Sequence, residues 1–89
     1  MRLKYQFVLR EVSGQWVAVA VGKDHSYFNG MVKLNATGAF LMELLRGEGR
    51  SRSELLEALT ERYDVTRERA EENVDSFLQT LRQGGLLAE

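Results

Sequence analysis

The first third of the chain carries its apolar residues with a period of two. Tyr5-Gln6-Phe7-Val8-Leu9-Arg10-Glu11-Val12 is rich in β-formers. Gln15-Trp16-Val17-Ala18-Val19-Ala20-Val21 sets Val17, Val19 and Val21 on one side, with Trp16, Ala18 and Ala20 on the other. Ser13-Gly14 between the two runs is a two-residue turn signal, so the pair predicts a hairpin. Gly22-Lys23-Asp24-His25 reads as a loop and Asn29-Gly30 as a tight turn. Met31-Val32-Lys33-Leu34 is then a short third strand. A three-stranded antiparallel meander is the simplest assembly, because consecutive strands usually pair.

After Leu34 the period becomes helical. Asn35 is a good N-cap, and Phe40, Leu41, Leu44 and Leu45 form a stripe behind it that ends near Gly47 and Gly49. Gly38 falls in the first turns, where it costs about 1 kcal/mol relative to Ala; close packing against another element would explain it. Ser51-Arg52-Ser53-Glu54 fits a capping box, followed by Leu55, Leu56, Leu59 and Tyr63. Asp64-Val65 connects to a third helix capped by Thr66, whose stripe is Ala70, Val74, Phe77, Leu78 and Leu81. Gly84-Gly85 closes that helix with a left-handed cap, and Leu86-Leu87 folds back on the core. The order β-β-β-α-α-α predicts an α+β fold in a single domain over residues 1–89. A small sheet with three helices is the inventory of a winged helix-turn-helix, here with its strands first.

Composition narrows the function. Cysteine is absent and His25 is the one histidine, which removes disulfides, thiol nucleophiles, iron–sulfur clusters and His-rich metal sites; no metal and no cofactor is expected. No apolar run approaches the ~18 residues of a membrane span, and the start lacks the apolar core of a signal peptide, so a cytoplasmic chain is expected. Net charge is -1. Residues 1–34 hold five basic and two acidic side chains, whereas residues 35–89 hold seven and eleven. The polarity reads as solvated helices with acids near their starts, or as a basic sheet meeting an acidic segment.

No catalytic constellation emerges. There is no Gly-rich phosphate loop, no Gly-x-Ser-x-Gly and no His-Glu-x-x-His. Asp24-His25-Ser26 contains the residue types of a triad, but three neighbours in a loop do not make triad geometry and read better as a turn. Glu68, Glu71 and Glu72 lie at the start of the third helix, where the helix dipole favours acids. The expectation is a protein that is not an enzyme.

The informative element is an edge strand. An outer strand of a meander leaves backbone N–H and C=O groups free, and an extended peptide can pair with them. Leu34-Asn35-Ala36-Thr37-Gly38-Ala39-Phe40-Leu41-Met42-Glu43-Leu44-Leu45 resembles the "LNxTGxxxWxLL" segment of the PqqD family. Ser53-Glu54-Leu55-Leu56-Glu57-Ala58-Leu59 with Tyr63-Asp64-Val65 is similar to that family's second helix and following linker. Val74-Asp75-Ser76-Phe77-Leu78-Gln79-Thr80-Leu81-Arg82-Gln83-Gly84-Gly85-Leu86-Leu87 resembles its "DVxxFLxxLxxxGLL" end. The strands before them carry a "GxWVAV" signature, and the resemblance spans about residues 5–87.

The resemblance implies a non-catalytic peptide chaperone, or RiPP recognition element. Such a domain binds the leader of a ribosomally made precursor peptide as a strand added beside strand three, against helix three. It presents the peptide to a modifying enzyme, commonly a radical SAM protein. Carried onto this chain, the pairing strand is Met31, Val32, Lys33 and Leu34. On a 3.6-residue repeat the facing helix row is Asn73, Phe77 and Thr80, flanked by Arg69 and Ser76. Phe77 reads either as core or as groove floor, and Val74, Leu78 and Leu81 point into the core. Lys33 and Arg69 would meet acidic leader side chains and set register more than affinity. The Asn29-Gly30 turn departs from the plainer "YFxLN" form and would shorten the edge.

Two other readings use the same fold. A homodimerising scaffold would pair the same edge, or Leu86-Leu87, with a second copy. A winged-helix nucleic-acid binder needs a basic recognition helix. The second helix instead has Glu54, Glu57 and Glu61 against Arg62, and the third has Glu68, Glu71, Glu72 and Asp75 against Arg67, Arg69 and Arg82. Neither has a basic face to neutralise phosphates, so no nucleic-acid partner is expected.

Overall fold

The hairpin forms where Ser13 and Gly14 both take positive φ, 51° and 81°, the primed turn that matches the twist of the flanking strands. The computed structural model describes residues 1–21 and 31–88. In it β1 is Arg2–Leu3, β2 Phe7–Val12, β3 Gln15–Ala20, β4 Met31–Leu34 and β5 Leu87–Ala88. The helices are α1 Ala36–Gly47, α2 Arg52–Arg62 and α3 Arg67–Gln83. The expected α+β order is present: three antiparallel strands, β2-β3-β4, followed by three helices. The expected loop at 22–25, the Asp24-His25-Ser26 turn and the Asn29-Gly30 turn lie outside the described residues.

Register decides which sheet face is covered. Phe7 faces Ala20, Leu9 faces Ala18 and Val32 faces Ala18 from the other side. Phe7, Ala18 and Ala20 are buried, so this is the face that receives the helices. Small alanines at the centre of the sheet let α1 approach it closely. Against them pack Leu41, Met42 and Leu45 of α1, Leu55, Leu56 and Leu59 of α2, and Val74, Phe77, Leu78 and Leu81 of α3. Each leucine fully buried here is worth about 1.5–3 kcal/mol relative to an exposed one.

The helix ends are fixed by the residues that the pattern pointed to. Asn35 Oδ1 accepts from the Gly38 N–H at 2.8 Å. Ser51 and Glu54 make both bonds of the capping box, and Thr66 Oγ1 accepts from the Arg69 N–H at 3.2 Å. At the far end of α3 the Leu86 N–H donates to Leu81 O and the Gly85 N–H to Arg82 O, the two bonds of a Schellman motif. Gly85 supplies the required positive φ of 70°, and Leu86 is thereby buried in the core.

One pairing was not anticipated. The last strand runs antiparallel to the first, Arg2 opposite Ala88 and Leu3 opposite Leu87, and the Lys4 N–H donates to Leu86 O. A two-residue strand has no period to read, so its pairing is visible only in three dimensions. The first long run also begins later than its composition implies, at Phe7 rather than Tyr5.

Candidate functional site

Among the described residues β4 pairs with β3 alone, which leaves it at the edge of the three-stranded sheet. Successive residues of a strand direct their backbone polar groups to alternate sides, so half of those of β4 point away from β3. Alongside runs α3, whose packing partners are α1 and α2. Between them lies a groove of about 140 Å³.

Its strand side is Lys33 and Leu34, and its helix side is Asn73, Ser76, Phe77 and Thr80. Six of the nine residues expected at the peptide site thus line one groove. Phe77 is 5% exposed, belongs to the core and also floors the groove, so both readings of it hold together. Met31 is 59% exposed and Val32 packs on the core; neither lines the groove. Arg69 is exposed in the first turn of α3, beyond the end of the groove.

Asn35, Thr37 and Gly38 complete the lining. Sequence reasoning placed Asn35 and Gly38 in the helix start and did not carry them into the site. The signal was present: an N-cap directly after an edge strand sits at the corner where strand and helix meet. Thr37 Oγ1 and the Gly38 N–H both donate to Asn35 Oδ1, which fixes that corner.

Apart from Leu34, Gly38 and Phe77 the lining is polar, and Lys33 is its one charged residue. Thr80 Oγ1 donates to Ser76 O, leaving the threonine oxygen as an acceptor. The Asn73 amide and the Ser76 hydroxyl have no hydrogen-bond partner among the described residues. An amide that can both donate and accept, half-buried beside a free strand edge, suits the alternating groups of an extended peptide. Among the described residues no group of three or more His, Cys, Asp or Glu is placed to hold a metal ion. Nor is any described helix long and apolar enough to cross a membrane.

No curated protein is significantly similar to the chain in sequence. Two solved structures share the fold. One is described as TbiB1 in complex with the TbiA(beta) leader peptide; it is 23% identical with a TM-score of 0.69 and all of both chains covered. The other is a lasso peptide synthetase B1 complexed with the leader peptide, 23% identical with a TM-score of 0.67, covering 99% of this chain and 96% of that one. At that identity they establish the fold. Residues 15–87 match the family model described as coenzyme PQQ synthesis protein D, and the chain belongs to the PqqD family.

Proposed function

We propose that this protein is a non-catalytic chaperone that binds the leader of a ribosomally made precursor peptide. The leader adds as a strand to the free edge of β4, with its α3-facing side chains in the groove floored by Phe77, and is presented to a modifying enzyme, in the family commonly of the radical SAM type. The single observation that carries the reading is the groove itself: a free strand edge facing Asn73, Ser76, Phe77 and Thr80 across about 140 Å³. Backbone pairing supplies affinity in this mode and side-chain pockets supply selectivity. Family membership and two structural neighbours described as leader-peptide complexes support it. The family description names coenzyme PQQ and one neighbour a lasso peptide; the reading concerns the shared peptide-handling step, not either product.

The test is an amide NMR titration with the leader of a candidate precursor. Shifts concentrated on Met31–Leu34 and on Arg69–Thr80 are expected. Unmoved amides at both places, together with concentration-dependent self-association, would replace the reading with a homodimerising edge.

A further inference from the structure

Two hydroxyls that line the groove have already spent their protons. Thr37 Oγ1 donates to Asn35 Oδ1 at 3.0 Å, and Thr80 Oγ1 donates to Ser76 O at 3.0 Å. Both oxygens therefore meet a ligand only as acceptors. The amides are placed differently. Asn35 Oδ1 accepts from Thr37 and from the Gly38 N–H, so its amide nitrogen keeps two donors with no partner among the described residues. Asn73, half-buried on α3, has its whole carboxamide unpaired among the described residues. The groove thus offers donors and acceptors side by side, next to the apolar Leu34 and Phe77.

Charge is kept to the rim. Register sets Lys33 in one row with Arg10 and Val17, on the other face of the sheet from Val32 and Leu34, which pack on the core. The lysine stem therefore leaves β4 on the outer face. There it stands beside the neighbours of whichever peptide residue turns toward α3, because the side chains of an added strand alternate between the two faces.

We infer that the groove selects a carboxamide side chain, Asn or Gln, of the bound leader, with Asn73 as the residue that reads it; the inference rests on the function proposed above. β4 takes the peptide backbone, so what enters the groove is a side chain. Its volume of about 140 Å³ is well below the ~300–1,000 Å³ of a small-molecule site and suits one such group. A carboxamide carries an acceptor and two donors at its tip. Its oxygen matches the amide nitrogens of Asn35 and Asn73, and its N–H groups match the oxygens of Thr37 and Thr80. A carboxylate brings no proton for the threonine oxygens, and an ammonium brings no acceptor for the amide nitrogens. An aliphatic side chain of the same size leaves both sets unpaired once the peptide excludes water, and that loss disfavours it.

The test is a displayed library of random octapeptides, selected on the immobilised full chain. Enriched sequences are expected to carry Asn or Gln at one position, the one whose protons show NOEs to the Phe77 ring. In the best peptide, changing that residue to its isosteric acid, or to Leu, should weaken binding at least about tenfold. The side-chain amide signals of Asn73 should shift with the parent peptide and stay in place with its Leu form. Asn73→Leu should invert the ranking, so that the Leu peptide binds more tightly than the carboxamide one. Ser76→Ala, a milder change on the same helix face, should narrow the carboxamide preference and leave the backbone spectrum of the free chain intact. Any other class of side chain at that position, or an unchanged ranking in Asn73→Leu, overturns the inference while strand addition stands. A library that yields no peptide shifting the Met31–Leu34 amides removes both.

Discussion

A Cβ placed on Gly38 would stand 3.3 Å from Leu34 Cδ2 and 3.0 Å from Asn35 Oδ1. The first turn of α1 is thus pressed against the last residue of the groove strand, and glycine is what allows the approach. Gly38→Ala gains up to ~1 kcal/mol of helix propensity. It also displaces the oxygen that caps the helix, a loss of about 1 kcal/mol, and crowds Leu34 by a further ~1 kcal/mol. A net loss of about 1 kcal/mol in urea unfolding is expected. A variant as stable as its parent would show that Leu34 and Asn35 yield at no cost.

Arg52 of α2 grips Asp75 of α3 with two bonds, Nε to Oδ1 at 2.7 Å and a terminal nitrogen to Oδ2 at 2.9 Å. That fork holds the Asp75 carboxyl below its ordinary range. The backbone N–H of Ser51 does the same for Glu54. A carboxyl depressed in the native state contributes stability above its unfolded value, near pH 4, and loses it as pH falls through the lower native value. Asp75→Asn should therefore be less stable than the parent at pH 7, with the gap closing in acid. Urea midpoints measured at pH 7 and pH 2.5 decide this; an equal gap at both would mean that the pair has no linked proton.

Gly85 has open space around it, so a side chain there meets only the cost of its positive φ. Gly85→Ala should lose about 1–2 kcal/mol, and Gly85→Asn less, because asparagine tolerates the left-handed region. Equal losses from both in thermal unfolding would point to a contact rather than to the backbone.

Ser76 is exposed on α3 and also lines the groove. Ser76→Phe should fill the groove while changing stability by no more than ~0.5 kcal/mol, as is usual at such sites. Leader affinity by calorimetry should fall at least about tenfold. Undiminished affinity would place the peptide elsewhere on the domain.

The fold was largely legible because period and caps agreed. Asn35, Ser51 and Thr66 each stand one residue before a helix, and the Val74, Leu78 and Leu81 stripe is buried as its spacing requires. The short β1–β5 pair was not legible, since two residues carry no pattern and the partner lies at the other end of the sequence. The helix wall of the groove could be read from a 3.6-residue repeat once the family resemblance named the edge. Asn35, Thr37 and Gly38 were missed because capping already explained the asparagine and packing the glycine. Residues with one sufficient structural reason hide a second. Met31 and Val32 show the converse: sequence assigned them to the site as members of the strand, but they form its first half, and the groove lies at its Lys33–Leu34 end.

The β1–β5 ribbon also bears on the order of folding. Closing almost the whole chain into one loop costs roughly 4 kcal/mol of entropy beyond a fixed constant. Two short strands cannot repay that until the helical core has already brought their ends together. The hairpin and the α1–α2–α3 core must therefore assemble first, with the ribbon as a late clasp that opens before the rest of the molecule. Its amides at Leu3, Lys4 and Leu87 are then expected to exchange hydrogen far sooner than those of Ala18 or Leu78, in a protein whose centre is still folded.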